Sequence, residues 1–136
     1  MKTKIRVLVC DDHELLRDLV KAFLRREDAV EVVGEAENGK QAVYKSLLLH
    51  PDVVLMDLHM PELNGIEATR SISLADETIK VLILTMYSQE ELVARCKEAG
   101  AAGYLLKDQM NSLLVQAIKT LSRGETFFIP GTRKSA

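Results

Sequence analysis

Four short hydrophobic runs divide the chain, and polar residues follow directly after each of them. The runs are nearly continuous in β-branched and large aliphatic residues, which is typical of strands that are covered on both faces. Segments of helical length and period separate the runs, so strands and helices alternate. This alternation predicts parallel strands joined by crossover helices. The four runs are Ile5 to Val9, Val53 to Met56, Val81 to Leu84 and Tyr104 to Leu106.

A fifth strand and five helices complete the predicted fold. Val30 to Val33 is a shorter and more polar run, which indicates a strand at the sheet edge. These elements fit an α/β, doubly wound parallel sheet of order 2-1-3-4-5, with the switch point between strands one and three. The helices are predicted to begin after the N-cap residue Asp12, at Asn38-Gly39, near Ile66, at the capping-box pattern of Ser88 to Glu91, and near Gln109.

The polar groups that follow the strands are three carboxylates, a hydroxyl and an ammonium. They belong to Asp11, Asp12, Asp57, Thr85 and Lys107. In an open parallel sheet the carboxyl ends of the strands meet at one edge, where ligand sites lie. Each residue alone has an ordinary structural explanation, since aspartates often cap helices and most lysines are solvated. Together they predict a cation and phosphate site, because three neighbouring acids repel one another unless a cation joins them.

Composition limits the function without assigning it. The chain has 136 residues, enough for one domain with a full core. Its formal net charge is -2, so no overall basic field suggests nucleic acid binding. No uncharged stretch is long enough to span a membrane, and acids interrupt the first apolar run before it could serve as a signal-peptide core. Cys10 and Cys96 lack the pattern of a disulfide framework, so a cytoplasmic protein is predicted.

Several motifs occur together at the order and spacing of one known family. They are the acidic pair Asp11-Asp12, the run from Asp57 to Gly65, the strand end Leu84-Thr85 and the segment from Gly103 to Asp108. With them the chain resembles the receiver domain of two-component response regulators over residues 4 to 124. The last segment, with the Arg-Gly pair at 123 and 124, is similar to the NarL/LuxR-type subfamily. The resemblance implies the CheY-like, flavodoxin-like (βα)5 fold, a receiver domain over residues 1–124, and a linker start or C-terminal tail over 125–136.

The resemblance also implies a role for each acidic residue. Asp57 is expected to accept a phosphoryl group from a sensor histidine kinase. Asp12, Asp57 and the backbone carbonyl of His59 would bind Mg²⁺ directly, and Asp11 would hold the ion through water. The chemistry suits these residue types, since a carboxylate can attack phosphorus when a divalent ion and a fixed ammonium neutralise the oxygens. The chain would catalyse only its own phosphotransfer and slow dephosphorylation, and would not be an enzyme with a separate substrate.

The remaining residues of the predicted site belong to a switch. By resemblance, Thr85 and Lys107 bind phosphoryl oxygens, and Tyr104 is the family's rotating aromatic residue. Phosphorylation is expected to draw Thr85 inward and to let Tyr104 turn into the vacated space. The surface of the fourth helix, fifth strand and fifth helix would then shift as a two-state switch.

The resemblance predicts partners as well. Homodimers are expected through the first and fifth helices, or through the face of the fourth helix, fifth strand and fifth helix. Regulators of this subfamily carry a helix-turn-helix domain after the receiver. Transcriptional control is therefore expected of a DNA-binding domain that this chain lacks, while the receiver itself would bind neither nucleic acid nor membrane. A stand-alone, single-domain receiver is the alternative.

A few positions depart from the family pattern or modulate it. Met86 follows Thr85, where the family usually has a small residue, so its long side chain is expected to hinder access to Asp57. His59 and Tyr87 occupy positions that tend to set the lifetime of the phosphoryl group.

Two other classes of protein compete with this interpretation. Phosphohydrolases of the haloacid-dehalogenase kind also use a strand-end aspartate with Mg²⁺, but they need a second acid two residues later, where this chain has His59. A pseudo-receiver would bind partners without phosphorylation. The complete set of three acids, Thr85 and Lys107 argues against a pseudo-receiver, and Mg²⁺-dependent labelling would separate the two.

Overall fold

The hydrophobic runs form the centre of one parallel sheet. The computed structural model describes residues 4–128, in which six strands lie in the order β2-β1-β3-β4-β5-β6. This order confirms the predicted doubly wound sheet and adds one strand at its end. The strands are β1 Ile5–Cys10, β2 Val30–Ala36, β3 Val53–Met56, β4 Lys80–Thr85, β5 Gly103–Leu106 and β6 Phe127–Phe128. The α-helices are α1 Glu14–Arg25, α2 Gly39–Leu49, α3 Gly65–Ala75, α4 Glu90–Glu98 and α5 Met110–Ser122.

The central strands are covered on both faces, which explains their continuous hydrophobic runs. Alternate residues of a strand point to opposite faces of the sheet. In β1, Leu8 and Cys10 pack into a cluster with α2, α3 and α4, whereas Val7 and Val9 pack into a second cluster with α1 and α5. Two helical layers therefore fix the sheet and leave its carboxyl edge to carry the site. None of the helices within residues 4–128 has the length and apolar character needed to cross a membrane.

Asparagine side chains begin α2 and α3. Asn38 accepts a hydrogen bond from the backbone N–H of Gln41 at 2.8 Å, and Asn64 accepts one from Glu67 at 3.0 Å. Each bond satisfies a free N–H group of the first helical turn. The predicted starts of these helices are confirmed to within one residue.

Two predicted helix caps are wrong. Asp12 does not cap α1, which begins after His13 without a side-chain cap. The reason is that the Asp11 carboxylate accepts the His13 N–H at 2.9 Å, so the chain makes a turn before it enters the helix. The capping box of Ser88 to Glu91 does not form either. The N-cap of α4 is Gln89, one residue later than predicted. Ser88 and Glu91 therefore do not stand at the N-cap and N3 positions that the two hydrogen bonds of a capping box require.

A sixth strand lies within the segment that was predicted as a linker or tail. Phe127 pairs with Gly103 and Phe128 pairs with Tyr104, so β6 extends the sheet beyond β5. A Cβ atom at Gly103 would lie 2.9 Å from the Phe127 carbonyl oxygen and 2.7 Å from a Leu82 methyl carbon, so only glycine lets the strands approach this closely. The remainder of the predicted tail, residues 129–136, lies outside the described residues.

Candidate functional site

Two acidic residues lie at the switch point, where β1 and β3 end side by side. The backbone N–H of Asp57 donates to the Cys10 carbonyl at 3.0 Å, and the N–H of Asp11 donates to the Ala36 carbonyl at 3.0 Å. These bonds continue the pairing of the strands past their last residues. Both acids are largely buried. The sheet thus brings together the two strand ends that the sequence predicts as the centre of the site.

The ammonium group of Lys107 bridges these two acids. Lys107 follows β5 and begins a single 3-10 turn, Lys107–Gln109. Its Nζ lies 3.0 Å from Asp11 Oδ2 and 3.5 Å from Asp57 Oδ1. Three strands therefore deliver a charged side chain to one point. An ammonium in this position can hold negative charge that develops on a ligand beside the carboxylates.

The surroundings of Asp57 disfavour its negative charge. Burial, followed by the nearby charge of Asp11, raises the pKa of Asp57 above its usual value, and Lys107 opposes this rise only in part. A divalent cation beside the two carboxylates would relieve the repulsion between them. Carboxylate oxygens are also the ligands that Mg²⁺ prefers. The donor set of the site therefore fits the predicted Mg²⁺.

A histidine outside the set of site residues predicted from the sequence also faces the acidic pair. His13 Nδ1 lies 3.2 Å from Asp11 Oδ1 and 3.0 Å from Asp12 Oδ1. One ligand atom from each of the three residues lies within 4.8 Å of the others. Because His13 stands where a helix begins, its spacing alone gave no functional signal. Its position directly after two acids is the one feature of the sequence that could have marked it.

The two predicted switch residues are buried and meet at one loop. Thr85 ends β4, and its Oγ1 accepts the backbone N–H of Tyr87 at 3.4 Å. Tyr104 in β5 is fully buried, and its phenolic O–H donates to the Tyr87 carbonyl at 2.5 Å. Tyr104 is thus already turned inward in this structure, and its rotation on phosphorylation stays a prediction.

The predicted modulating residues lie at the outer rim of the site. The rings of His59 and Tyr87 meet edge to face, with centroids 4.7 Å apart and planes inclined by 71°. Met86 is 75% exposed and, with Leu106, lines an open apolar recess of about 400 Å³ beside Lys107. Asp57 does not line this recess. The effect of Met86 on access to Asp57 and the role of the His59 carbonyl in metal binding stay predictions.

A buried arginine outside the predicted set contacts the backbone of the acidic pair. Arg17 in α1 donates from Nη1 to the Asp11 backbone carbonyl at 2.7 Å and from Nε to Glu35 Oε1 at 2.8 Å. In the sequence it reads as one of the charges that separate the apolar residues of an amphipathic helix. Only the fold brings it to the end of β1.

Residues 7–119 match the family described as the response regulator receiver domain. The chain belongs to this family. The matched part of the receiver includes every site residue predicted from the sequence, from Asp11 to Lys107.

Longer regulators contain a segment similar to this receiver. The transcriptional regulatory protein DegU of Brevibacillus brevis is 39% identical over 129 residues, which make up 95% of this chain and 55% of DegU. The response regulator protein VraR of Staphylococcus aureus is 40% identical over 126 residues, which make up 93% of this chain and 60% of VraR. The chain therefore spans little more than half the length of these relatives.

Solved structures of receivers share the fold. A two-component response regulator of the LuxR family from Aurantimonas sp. SI85-9A1 superposes with a TM-score of 0.90 at 34% identity, covering 95% of this chain and 92% of that one. The signal receiver domain of a response regulator described as NarL from Mycobacterium tuberculosis gives a TM-score of 0.87 at 33% identity, covering 91% of this chain and 100% of that one. These relatives confirm a NarL/LuxR-type receiver.

Proposed function

We propose that this receiver accepts a phosphoryl group on Asp57 from a sensor histidine kinase, with Mg²⁺ as cofactor. The observation that carries the proposal is the ammonium of Lys107, which lies between Asp11 and Asp57 at the junction of three strands. An ordinary surface lysine would not be placed against two buried acids. This arrangement is suited to holding a dianionic group that arrives at Asp57.

The transfer moves one phosphoryl group between two protein side chains. An Asp57 carboxylate oxygen forms a bond to phosphorus as the bond from phosphorus to the kinase's histidine nitrogen breaks, and the electron pair of that bond returns to the imidazole. Lys107 and the hydroxyl of Thr85 bind the phosphoryl oxygens. Mg²⁺ held by Asp12, Asp57 and the His59 carbonyl, with Asp11 acting through water, would neutralise charge on those oxygens.

The signal would leave the site through the loop that follows β4. Tyr87 in this loop already holds the Thr85 hydroxyl through its N–H and the Tyr104 hydroxyl through its carbonyl. A displacement of Thr85 towards the phosphoryl group would therefore pull on both contacts. A switch from mostly off to mostly on requires about 5 kcal/mol of differential stabilisation, which a few charge-assisted hydrogen bonds can supply.

The output of the receiver is proposed to be transcriptional. DegU is described as a transcriptional regulatory protein, and it is nearly twice as long as the matched segment. A helix-turn-helix domain outside this chain would bind the DNA, and the cytoplasmic location predicted from the sequence is consistent with that role.

Between the two predicted dimer faces we favour α1 and α5, since Leu15 and Leu19 of α1 are 82% and 56% exposed. On the other face, Phe127 and Phe128 of β6 already pair with Gly103 and Tyr104 and so cover part of the edge of β5.

The test is the intact mass of the chain after incubation with acetyl phosphate and Mg²⁺. Wild type and the control Asp28→Asn should gain one phosphoryl group, whereas Asp57→Asn and wild type without Mg²⁺ should gain none. If wild type stays unlabelled under conditions that label another receiver, Met86→Ala separates the two explanations. Labelling of that variant would show that Met86 blocks the site, and continued absence of an adduct would make the chain a pseudo-receiver.

A further inference from the structure

Arg17 is a buried cation that joins the ends of two strands. Its side chain is 10% exposed, and the guanidinium has two different partners. Nη1 donates to the backbone carbonyl of Asp11, just past the end of β1, and Nε donates to the carboxylate of Glu35 in β2. A planar guanidinium can hold two acceptors in a fixed relative direction, which a lysine ammonium on its flexible stem cannot do.

The carbonyl that Arg17 holds belongs to the peptide between Asp11 and Asp12. The orientation of this peptide sets the directions in which both acidic side chains leave the backbone. We propose that Arg17, anchored by Glu35, is a positioning residue that orients the acidic pair for binding a divalent cation. The inference rests on the cation site of the proposed function, and adds to it a residue that does not contact the ion.

Glu35 is itself held from two helices, so it is a firm anchor for the guanidinium. Its carboxylate also accepts a hydrogen bond from Lys21 at 2.7 Å, and its backbone carbonyl accepts one from Lys45 at 2.6 Å. The hydrogen bonds from Lys21 and Arg17 lower the pKa of Glu35, which keeps the carboxylate ionised. Its negative charge offsets part of the positive charge that Arg17 and Lys21 bring to this end of the sheet.

A positioning role and a purely electrostatic role predict opposite results when Arg17 is neutralised. If Arg17 is only a nearby positive charge, its removal should strengthen the binding of a divalent cation. If it orients the acidic pair, its removal should weaken binding although the site becomes more negative. The sign of the change therefore distinguishes the two roles.

The experiment is calorimetric titration of the full chain with Mg²⁺. Arg17→Gln and Arg17→Lys should each bind Mg²⁺ about tenfold to a hundredfold more weakly, the scale seen when partners of metal ligands are removed. Glu35→Gln should also weaken binding, because the guanidinium loses its anchor and its compensating charge. The control is Arg123→Gln, which removes an arginine that contacts Glu125 beyond the end of α5 and should leave the affinity unchanged.

A second readout does not depend on the metal. In metal-free protein, hydrogen exchange of the His13 amide should accelerate in both Arg17 variants, because this N–H is hydrogen-bonded to the Asp11 carboxylate, whose orientation Arg17 would no longer hold.

Equal or tighter Mg²⁺ binding by Arg17→Gln, or lower thermal stability with unchanged affinity, would overturn the inference. If Arg17→Gln does not fold, Arg17→Lys and Glu35→Gln are judged by the same criteria. Wild type that binds no Mg²⁺ would contradict the proposed cofactor, and unchanged His13 exchange would then also reject the role of Arg17.

Discussion

Tyr104 donates its phenolic O–H to the backbone carbonyl of Tyr87 at 2.5 Å. The bond joins the centre of β5 to the loop after β4, across 17 residues of sequence. Because the ring of Tyr104 is fully buried, the loop is tied directly to the core. The residue predicted to rotate is therefore also the residue that holds the loop in its present conformation.

Tyr104→Phe should keep the packing of the ring and lose only this bond. We expect the free energy of unfolding to fall by about 1 kcal/mol, the usual net contribution of one hydrogen bond. Urea denaturation measures the change, and Tyr44→Phe is the control because Tyr44 is 66% exposed on α2. A Tyr104→Phe protein as stable as the control would mean that the bond does not hold the loop.

Asp57→Asn should be more stable than wild type when no metal is present. Burial and the charge of Asp11 raise the pKa of Asp57, so folding disfavours its ionised form. The wild type therefore loses stability as the pH rises from the ordinary carboxyl pKa through the raised one. The amide avoids this cost, while Lys107 retains its contact with Asp11.

The gain for Asp57→Asn should be about 1 kcal/mol near neutral pH, or about 4 °C in Tm. It should vanish near pH 3, where the wild-type carboxyl is protonated in both states. Mg²⁺ should narrow or reverse the difference in stability between the variant and wild type, because the ion binds the Asp57 carboxylate and therefore stabilises wild type more than Asp57→Asn. Thermal unfolding at several pH values tests all three points, and an advantage of the variant that persists at low pH would contradict the electrostatic cause.

Lys107→Met should raise the pKa of Asp57 further, because Lys107 is the charge that opposes the rise. Carboxyl ¹³C NMR of Asp57 measures the titration directly. The rate of labelling by acetyl phosphate should fall by about 10²-fold, the scale of losing one preorganised group that stabilises the transition state. Lys119→Met, which removes a lysine paired with Glu27 at 3.7 Å, should change neither quantity. An unchanged pKa of Asp57 in Lys107→Met would show that the Lys107 ammonium does not interact with the Asp57 carboxylate.

His59 and Tyr87 should stabilise each other by about 0.5 kcal/mol, at the low end for aromatic pairs because both rings reach solvent. A double-mutant cycle with His59→Ala, Tyr87→Ala and the combined variant isolates this coupling from their other contacts. Additive losses of stability would show that the edge-to-face contact contributes no coupling free energy. The phosphoryl lifetimes of the same variants would show whether the two positions act together.

The convergence of Asp57 and Lys107 could be predicted because it depends on topology alone. Continuous hydrophobic runs indicate strands buried on both faces, and helices between them make the strands parallel. Parallel strands then bring their carboxyl ends to one edge, although 50 residues separate Asp57 from Lys107. The meeting of these two residues therefore follows from strand order and direction, without any side-chain geometry.

The supporting contacts of the site could not be predicted, because they depend on side-chain geometry. Arg17 has the helical spacing of a solvated charge, and its partner Glu35 lies 18 residues away in the next strand. The predicted cap of α1 is wrong because the Asp11 carboxylate accepts the His13 N–H, and local sequence preferences do not distinguish this bond from capping by Asp12. In the same way, the two described residues of β6 are too few to show a periodic pattern.

The close approach of β6 to Gly103 also bears on the behaviour of the chain at high concentration. A sheet that ended at β5 would offer a hydrophobic edge whose free N–H and carbonyl groups could recruit another polypeptide. The chain instead pairs its own Phe127 and Phe128 with Gly103 and Tyr104 along that edge. At the opposite side, β2 exposes the charged Glu31. Within residues 4–128, strand pairing at one border and charge at the other therefore disfavour aggregation through the sheet edges, and a side chain at position 103 would remove the first of these protections.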